Sequence, residues 1–220
     1  MPLFRQYKIG GAEVSVWKIT ETLDELMALV PEECARACLE RFSSEKRRFE
    51  WLAVRAMIAQ LFGSNVRVVY DAAGKPSLAG TNLSISISHT NGYATIACSH
   101  DVAIGLDVEL QSRNVLPVAG RFMQRGALEG MLSDVANRVA LCHWCAKEAL
   151  FKITGDLGGN FRDNIYVGCS SVSERGSFPV EVVGLGHDAS FVADYGFFDG
   201  LLVVLCSKPA VSVPGFEKKL

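Results

Sequence analysis

Apolar and polar positions alternate along several short stretches of the chain and recur at helical spacing along two longer ones. Leu83-Ser84-Ile85-Ser86-Ile87-Ser88 alternates strictly, which puts the aliphatics on one face of a strand and the hydroxyls on the other. His89 ends that strand, Asn91-Gly92 signals a hairpin, and residues 93–99 read as the return strand. Residues 102–109 alternate again, with Val102, Ile104, Leu106 and Val108 on one face and Ala103, Gly105, Asp107 and Glu109 on the other. Upstream, residues 13–19 read as a strand, 21–30 as a helix and 66–70 as a short strand before the turn Asp71-Ala72-Ala73-Gly74-Lys75-Pro76. A longer helix is expected from Ser43-Ser44 to Gly63, with Trp51, Val54, Ile58 and Leu61 as its apolar stripe and Arg48, Leu52 and Arg55 on another. A second long helix, 134–153, closes at Gly155 and carries Trp144, Glu148 and Lys152 on one stripe, with Lys147 beside them. Candidate strands follow at 164–169, 178–183, 190–194 and 201–207, and the tail from 209 is expected to fray. Strand, helix, helix and hairpin thus precede a strand, a helix and a β-rich run. This predicts an α+β chain of two similar halves, 1–103 and 104–220, each a small, mostly antiparallel sheet packed with helices and related by a pseudo-twofold axis.

Asp107 and Glu109 share a face with their backbones roughly 6–7 Å apart, close enough for two carboxylates to converge on one hard cation. Small Ala103 and Gly105 leave that face open to a ligand. Taken alone, the same pair reads more simply as the solvated face of an edge strand. Composition narrows the partners: 220 residues, 49% apolar and 21% charged, describe an ordinary globular protein with a real core. A net charge of −2 gives no general basic field for nucleic acid or an anionic membrane, though local Lys and Arg clusters can still hold an anion. The seven cysteines, odd in number and set in apolar patterns, read as reduced thiols of a cytoplasmic protein. Cys142-His143-Trp144-Cys145 lies inside a helix and reads as packing rather than as a redox pair or half a zinc site. The N-terminus lacks the apolar core of a secretory signal, and the longest aliphatic run, 201–206, is too short to span a bilayer.

Four motifs follow in order: Gly74-Lys75-Pro76, Ser86-Ile87-Ser88-His89, Gly105-Leu106-Asp107-Val108-Glu109, and Trp144-Cys145-Ala146-Lys147-Glu148-Ala149-Leu150-Phe151-Lys152. Over residues 48–155 they resemble the motif set of the 4′-phosphopantetheinyl transferases, most closely the long single-chain type that activates surfactin synthetase and similar enzymes. The resemblance implies transfer of the 4′-phosphopantetheine arm of coenzyme A to a serine of an apo acyl or peptidyl carrier protein, with release of 3′,5′-ADP. It implies Mg²⁺, with Mn²⁺ as a substitute, held by residues matching Asp107, Glu109 and Glu148. It assigns Lys75, Ser88 and His89 to coenzyme A, together with Arg48, Arg55, Lys147 and Lys152. Arg48, Arg55 and Lys147 read equally well as structural or solvated charges. Glu148 and Lys152 are the candidate catalytic pair. A monomer is expected, since one chain supplies both sides of the cleft; the alternative function is a non-catalytic coenzyme A or carrier-binding module of the same fold. The match departs from the family at Arg121-Phe122-Met123-Gln124-Arg125-Gly126, which bears on the choice of carrier, and is loose over 155–164.

Overall fold

In the computed structural model, residues 3–155, 159–184 and 188–208 are described. Gly158 and the tail from 209 lie outside them. Two antiparallel sheets and five α-helices make up the architecture of these residues. The first half contributes β1 (Leu3–Ile9), β2 (Ala12–Lys18), α1 (Leu23–Ala28), α2 (Glu32–Arg41), α3 (Glu45–Phe62), β3 (Val68–Tyr70), β4 (Pro76–Leu78), β5 (Ser84–Thr90) and β6 (Tyr93–Ser99). The second contributes β7 (Ile104–Leu110), a 3-10 turn (Leu116–Arg121), α4 (Ser133–Thr154), α5 (Phe161–Asn164), β8 (Ile165–Val167), β9 (Arg175–Val182), β10 (Ala189–Phe198) and β11 (Leu201–Ser207). Strand order is β1-β2-β6-β5-β4-β3 in one sheet and β7-β11-β10-β9-β8 in the other. The fold is therefore α+β with two helix-packed antiparallel sheets, as the residue pattern predicts.

Local chemistry explains where the elements start and stop. Thr22 and Glu25 close a capping box on α1, and Gly63 and Gly155 end α3 and α4. Gly92, at φ 77°, turns the β5–β6 hairpin. Three elements of the first half escape the pattern reading. β1 is rich in polar residues and is held by pairing with β2 across Gly10-Gly11, both at positive φ. β4 pairs with β3 over three residues only. α2 buries only the small residues Ala35 and Cys38, so its apolar period is faint.

Three apolar clusters fix the layers. One lies between α1–α3 and the first sheet, around Trp17, Leu52, Met57, Ile85 and Ile96. Another lies between α4 and the second sheet, around Leu141, Leu150, Val180, Leu202 and Val204. The third joins the sheets, with Val14, Val16 and Ala97 of the first against Ile104, Leu106, Val108, Val203 and Leu205 of the second. Alternation in β7 thus behaves as the sequence predicts: its aliphatics enter the inter-sheet cluster, and Gly105, Asp107 and Glu109 face the other way.

α4 also buries His143, only 3% exposed, whose Nε2–H donates to the Cys169 carbonyl oxygen at 2.8 Å. Burial lowers its pKa from 6.5 to about 4, and the nearby Lys147 charge pushes the same way. The unfolded chain therefore takes up this proton more readily than the folded one. The neutral imidazole's contribution is complete above about pH 6.5 and is lost as pH falls towards 4, by up to about 3 kcal/mol. Urea unfolding of wild type and His143→Gln between pH 4 and 7 checks this. The wild type is expected to lose stability more steeply, and equal slopes would refute the assignment.

Candidate functional site

β7 is the edge strand of its sheet, and β5 of the other sheet lies along its free edge. Ser86 Oγ accepts from Leu106 N–H at 2.8 Å and Ser88 Oγ from Val108 N–H at 3.3 Å. The strict Ser-x-Ser alternation of β5 thus becomes a row of hydroxyls that satisfies backbone groups across the junction of the halves. Ser88 Oγ also donates to Asp107 Oδ1 at 2.9 Å, and Thr90 Oγ1 donates to Glu109 Oε2 at 3.0 Å. From the other side, Lys152 Nζ on α4 reaches Leu106 O at 2.6 Å and Asp107 Oδ1 at 2.9 Å. Gly105 faces α4 as well. A Cβ built there would stand 1.9 Å from Ala149 O, so the missing side chain admits the helix backbone rather than the ligand expected from sequence.

The three candidate metal ligands differ in their surroundings. Asp107 is 7% exposed, and its Oδ2 is buried with no hydrogen-bond partner among the described residues. Glu148 makes no hydrogen bond or ion pair among the described residues; burial and then the Asp107 charge raise its pKa, against Lys152 and Arg113. The same aspartate, after burial, pushes the Cys145 thiol well above its usual range. Glu109 is turned aside: Oε1 is paired with Arg113 and Oε2 with Thr90. Among the described residues no three His, Cys, Asp or Glu side chains are gathered as a metal site. The donor chemistry suits a hard cation, since Asp107 and Glu148 keep unspent oxygens, but Glu109 must leave Arg113 to join them.

A cleft of about 690 Å³ opens beside Glu109, between the N-terminal half of α3, the β5–β6 hairpin and the end of β7. Its lining carries Lys46, Arg47, Arg55, His89 and Arg113 against two carboxylates, Glu50 and Glu109. Such a surplus favours an anionic ligand. Arg55 lies over the Trp51 ring at 3.8 Å and donates to Tyr70 Oη at 2.9 Å, which holds its charge at the wall. His89 Nδ1 is 3.5 Å from Glu50 Oε2.

Of the residues expected to bind the cofactor, Arg55 and His89 line this cleft. Lys75 is half-buried in the β3–β4 turn, outside the lining, with its backbone N–H donated to Asp71 Oδ1. Three others are engaged elsewhere in the structure. Arg48 is captured by the carbonyl oxygens of Phe42, at 2.7 Å, and Leu39 at the end of α2; helix C-termini leave such acceptors open. Ser88 spends its hydroxyl on β7. Lys147 is fully buried and donates to the carbonyl oxygens of Phe122, Phe161 and Ile165, which uses all three of its protons. Burial lowers its pKa to about 8, and the ammonium ties the 3-10 turn, α5 and β8 to α4. Sequence reasoning missed Lys46, Arg47, Glu50, Tyr70 and Arg113 as cleft residues. Lys46 and Glu50, and Arg47 and Trp51, are each four apart on α3, a signal that was there to find.

No family model matches the chain. Among curated proteins it is similar to the 4′-phosphopantetheinyl transferase AcpT of Salmonella typhi, 26% identical over 155 residues that cover 68% of this chain and 74% of that protein. This relative bears the name of the superfamily that the four ordered motifs resemble.

Proposed function

We propose that the chain is a 4′-phosphopantetheinyl transferase that moves the phosphopantetheine arm of coenzyme A onto a carrier-protein serine. The observation that carries the reading is the adjacency of two features at the junction of the halves. A basic cleft suited to a phosphorylated ligand ends at Glu109, and a group made of buried Asp107 with half-buried Glu148 and Lys152 lies next to it. A volume near 690 Å³ is in the range of cofactor sites.

In this reading Lys46, Arg47, Arg55 and His89 receive the phosphorylated nucleotide end, and Trp51 supplies a flat wall. Asp107, Glu148 and, once released from Arg113, Glu109 would hold a divalent cation. Mg²⁺ or Mn²⁺ bound there supplies neutralisation of pyrophosphate charge. The carrier serine attacks the phosphorus that bears the pantetheine arm, the phosphoanhydride bond breaks, and 3′,5′-ADP leaves. Glu148, which makes no hydrogen bond among the described residues, takes the serine proton directly or through a water. Lys152 is anchored by the Leu106 carbonyl oxygen at the edge of the group and stabilises the departing phosphate. The nucleophile comes from the partner, so no nucleophilic triad is required of this chain.

One chain supplies both walls of the cleft, which favours a monomer. All seven cysteines are free, which suits a reducing cytoplasm. No helix among the described residues is long and apolar enough to cross a membrane. The test is incubation with coenzyme A, Mg²⁺ and a panel of apo acyl and peptidyl carrier proteins, read by carrier mass. A gain of one phosphopantetheine group on a serine is expected. Coenzyme A binding without modification of any carrier would replace the enzyme by a binding module.

A further inference from the structure

Arg113 has no part in the reaction as stated, yet it stands where the cleft and the carboxylates meet. Its guanidinium pairs with Glu109 Oε1 and lies 5.3 Å from the Trp144 ring centroid, and its side chain is 43% exposed along the cleft. Its backbone is fixed at both ends: Arg113 N–H donates to Leu110 O at 3.0 Å, and Arg113 O accepts from Asn137 Nδ2 at 3.0 Å. Only the side chain is free to change partner, and the flat Trp144 face gives it a surface to turn against. Its charge also reaches Glu148, whose acidity it increases. A second carboxylate of the group is treated alike, since Asp107 is paired with Lys152. Each of these two acids is thus already neutralised by a cation of the chain, and a metal ion must compete with that cation.

We propose that Arg113 is an exchangeable counter-ion. It holds Glu109 while the site is empty, gives that carboxylate up to a divalent cation, and turns along Trp144 to the phosphates of the ligand in the cleft. This rests on the functional reading above and adds a consequence: part of the cooperativity between metal and phosphorylated ligand depends on Arg113, because both gain when the Arg113–Glu109 pair opens. By reciprocity, one coupling factor describes the effect of either on the other.

The test is calorimetric titration of the full chain with Mn²⁺ alone, with coenzyme A alone, and with coenzyme A at saturating Mn²⁺. Removing the competing charge in Arg113→Met is expected to tighten Mn²⁺ binding in the absence of coenzyme A by about two- to tenfold. The same change is expected to weaken coenzyme A and to shrink the factor by which Mn²⁺ improves it. Arg113→Lys keeps the charge and is expected to return Mn²⁺ affinity towards wild type, which a loss of folding would not do. Wild type that binds both ligands while Arg113→Met leaves Mn²⁺ affinity unchanged, or weakens it, overturns the exchange and spares the functional reading. Wild type that binds neither overturns both.

Discussion

Gly105→Ala is expected to destabilise the fold by about 3 kcal/mol or more, the upper end of what overpacking costs. The reason is the partner of the clash. The added methyl would meet Ala149 O at 1.9 Å and Ala149 C at 2.9 Å, both backbone atoms of α4, with Ile153 Cγ1 at 3.0 Å. A flexible side-chain end could move aside cheaply. A carbonyl engaged in a 22-residue helix cannot, so α4 must lift from β7 or β7 must shift against β5 and β11. Either movement also pulls Lys152 from Asp107, so transfer should fall with stability. Gly120→Ala, where a Cβ meets nothing within 4 Å, is the control and should stay within about 0.5 kcal/mol. Chemical unfolding of both variants decides the matter: equal midpoints would mean that α4 does not seat on Gly105 as described.

That contact shows where reading the chain stops short. Alternation along β7 predicts which face Gly105 occupies, and the faces are as predicted, because strand geometry is local. What fills the space beside a glycine is decided by Ala149, 44 residues further along the chain, and no local pattern announces that it is a helix backbone rather than a ligand. The same limit governs the charged residues. Arg48 and Arg55 sit on one predicted stripe, but α2, with its faint apolar period, ends beside Arg48 and offers it two carbonyl oxygens. Lys147 falls in a motif beside Glu148, yet the carbonyl oxygens that consume its donors come from the 3-10 turn, α5 and β8. Strands with strict alternation and helices with a sustained apolar stripe were legible because their period repeats. The junction was legible only in part: the hydroxyl face of β5 is visible in the sequence, but its target, the open edge of β7, depends on how the two sheets meet.

Glu148→Gln is expected to lower carrier modification by about 10²- to 10⁴-fold, the range associated with a positioned proton acceptor, while leaving the melting temperature equal or higher. The two halves of this expectation have separate physical sources. Glu148 makes no hydrogen bond or ion pair among the described residues, so the isosteric amide removes no contact that holds the fold. Burial and the Asp107 charge raise its pKa, which means that the ionised form is less favoured in the folded chain than in the unfolded one. At neutral pH that charge opposes folding, and the neutral amide relieves it. Glu109 is the contrast, because its carboxylate answers Arg113 and Thr90 within the fold. A residue kept only for structure would show the opposite pairing, with lost stability and activity falling in proportion. Thermal melts alongside the carrier mass assay separate the cases. Retention of more than a tenth of wild-type turnover by Glu148→Gln would remove this side chain from the chemistry and leave Asp107 and Lys152 to account for it.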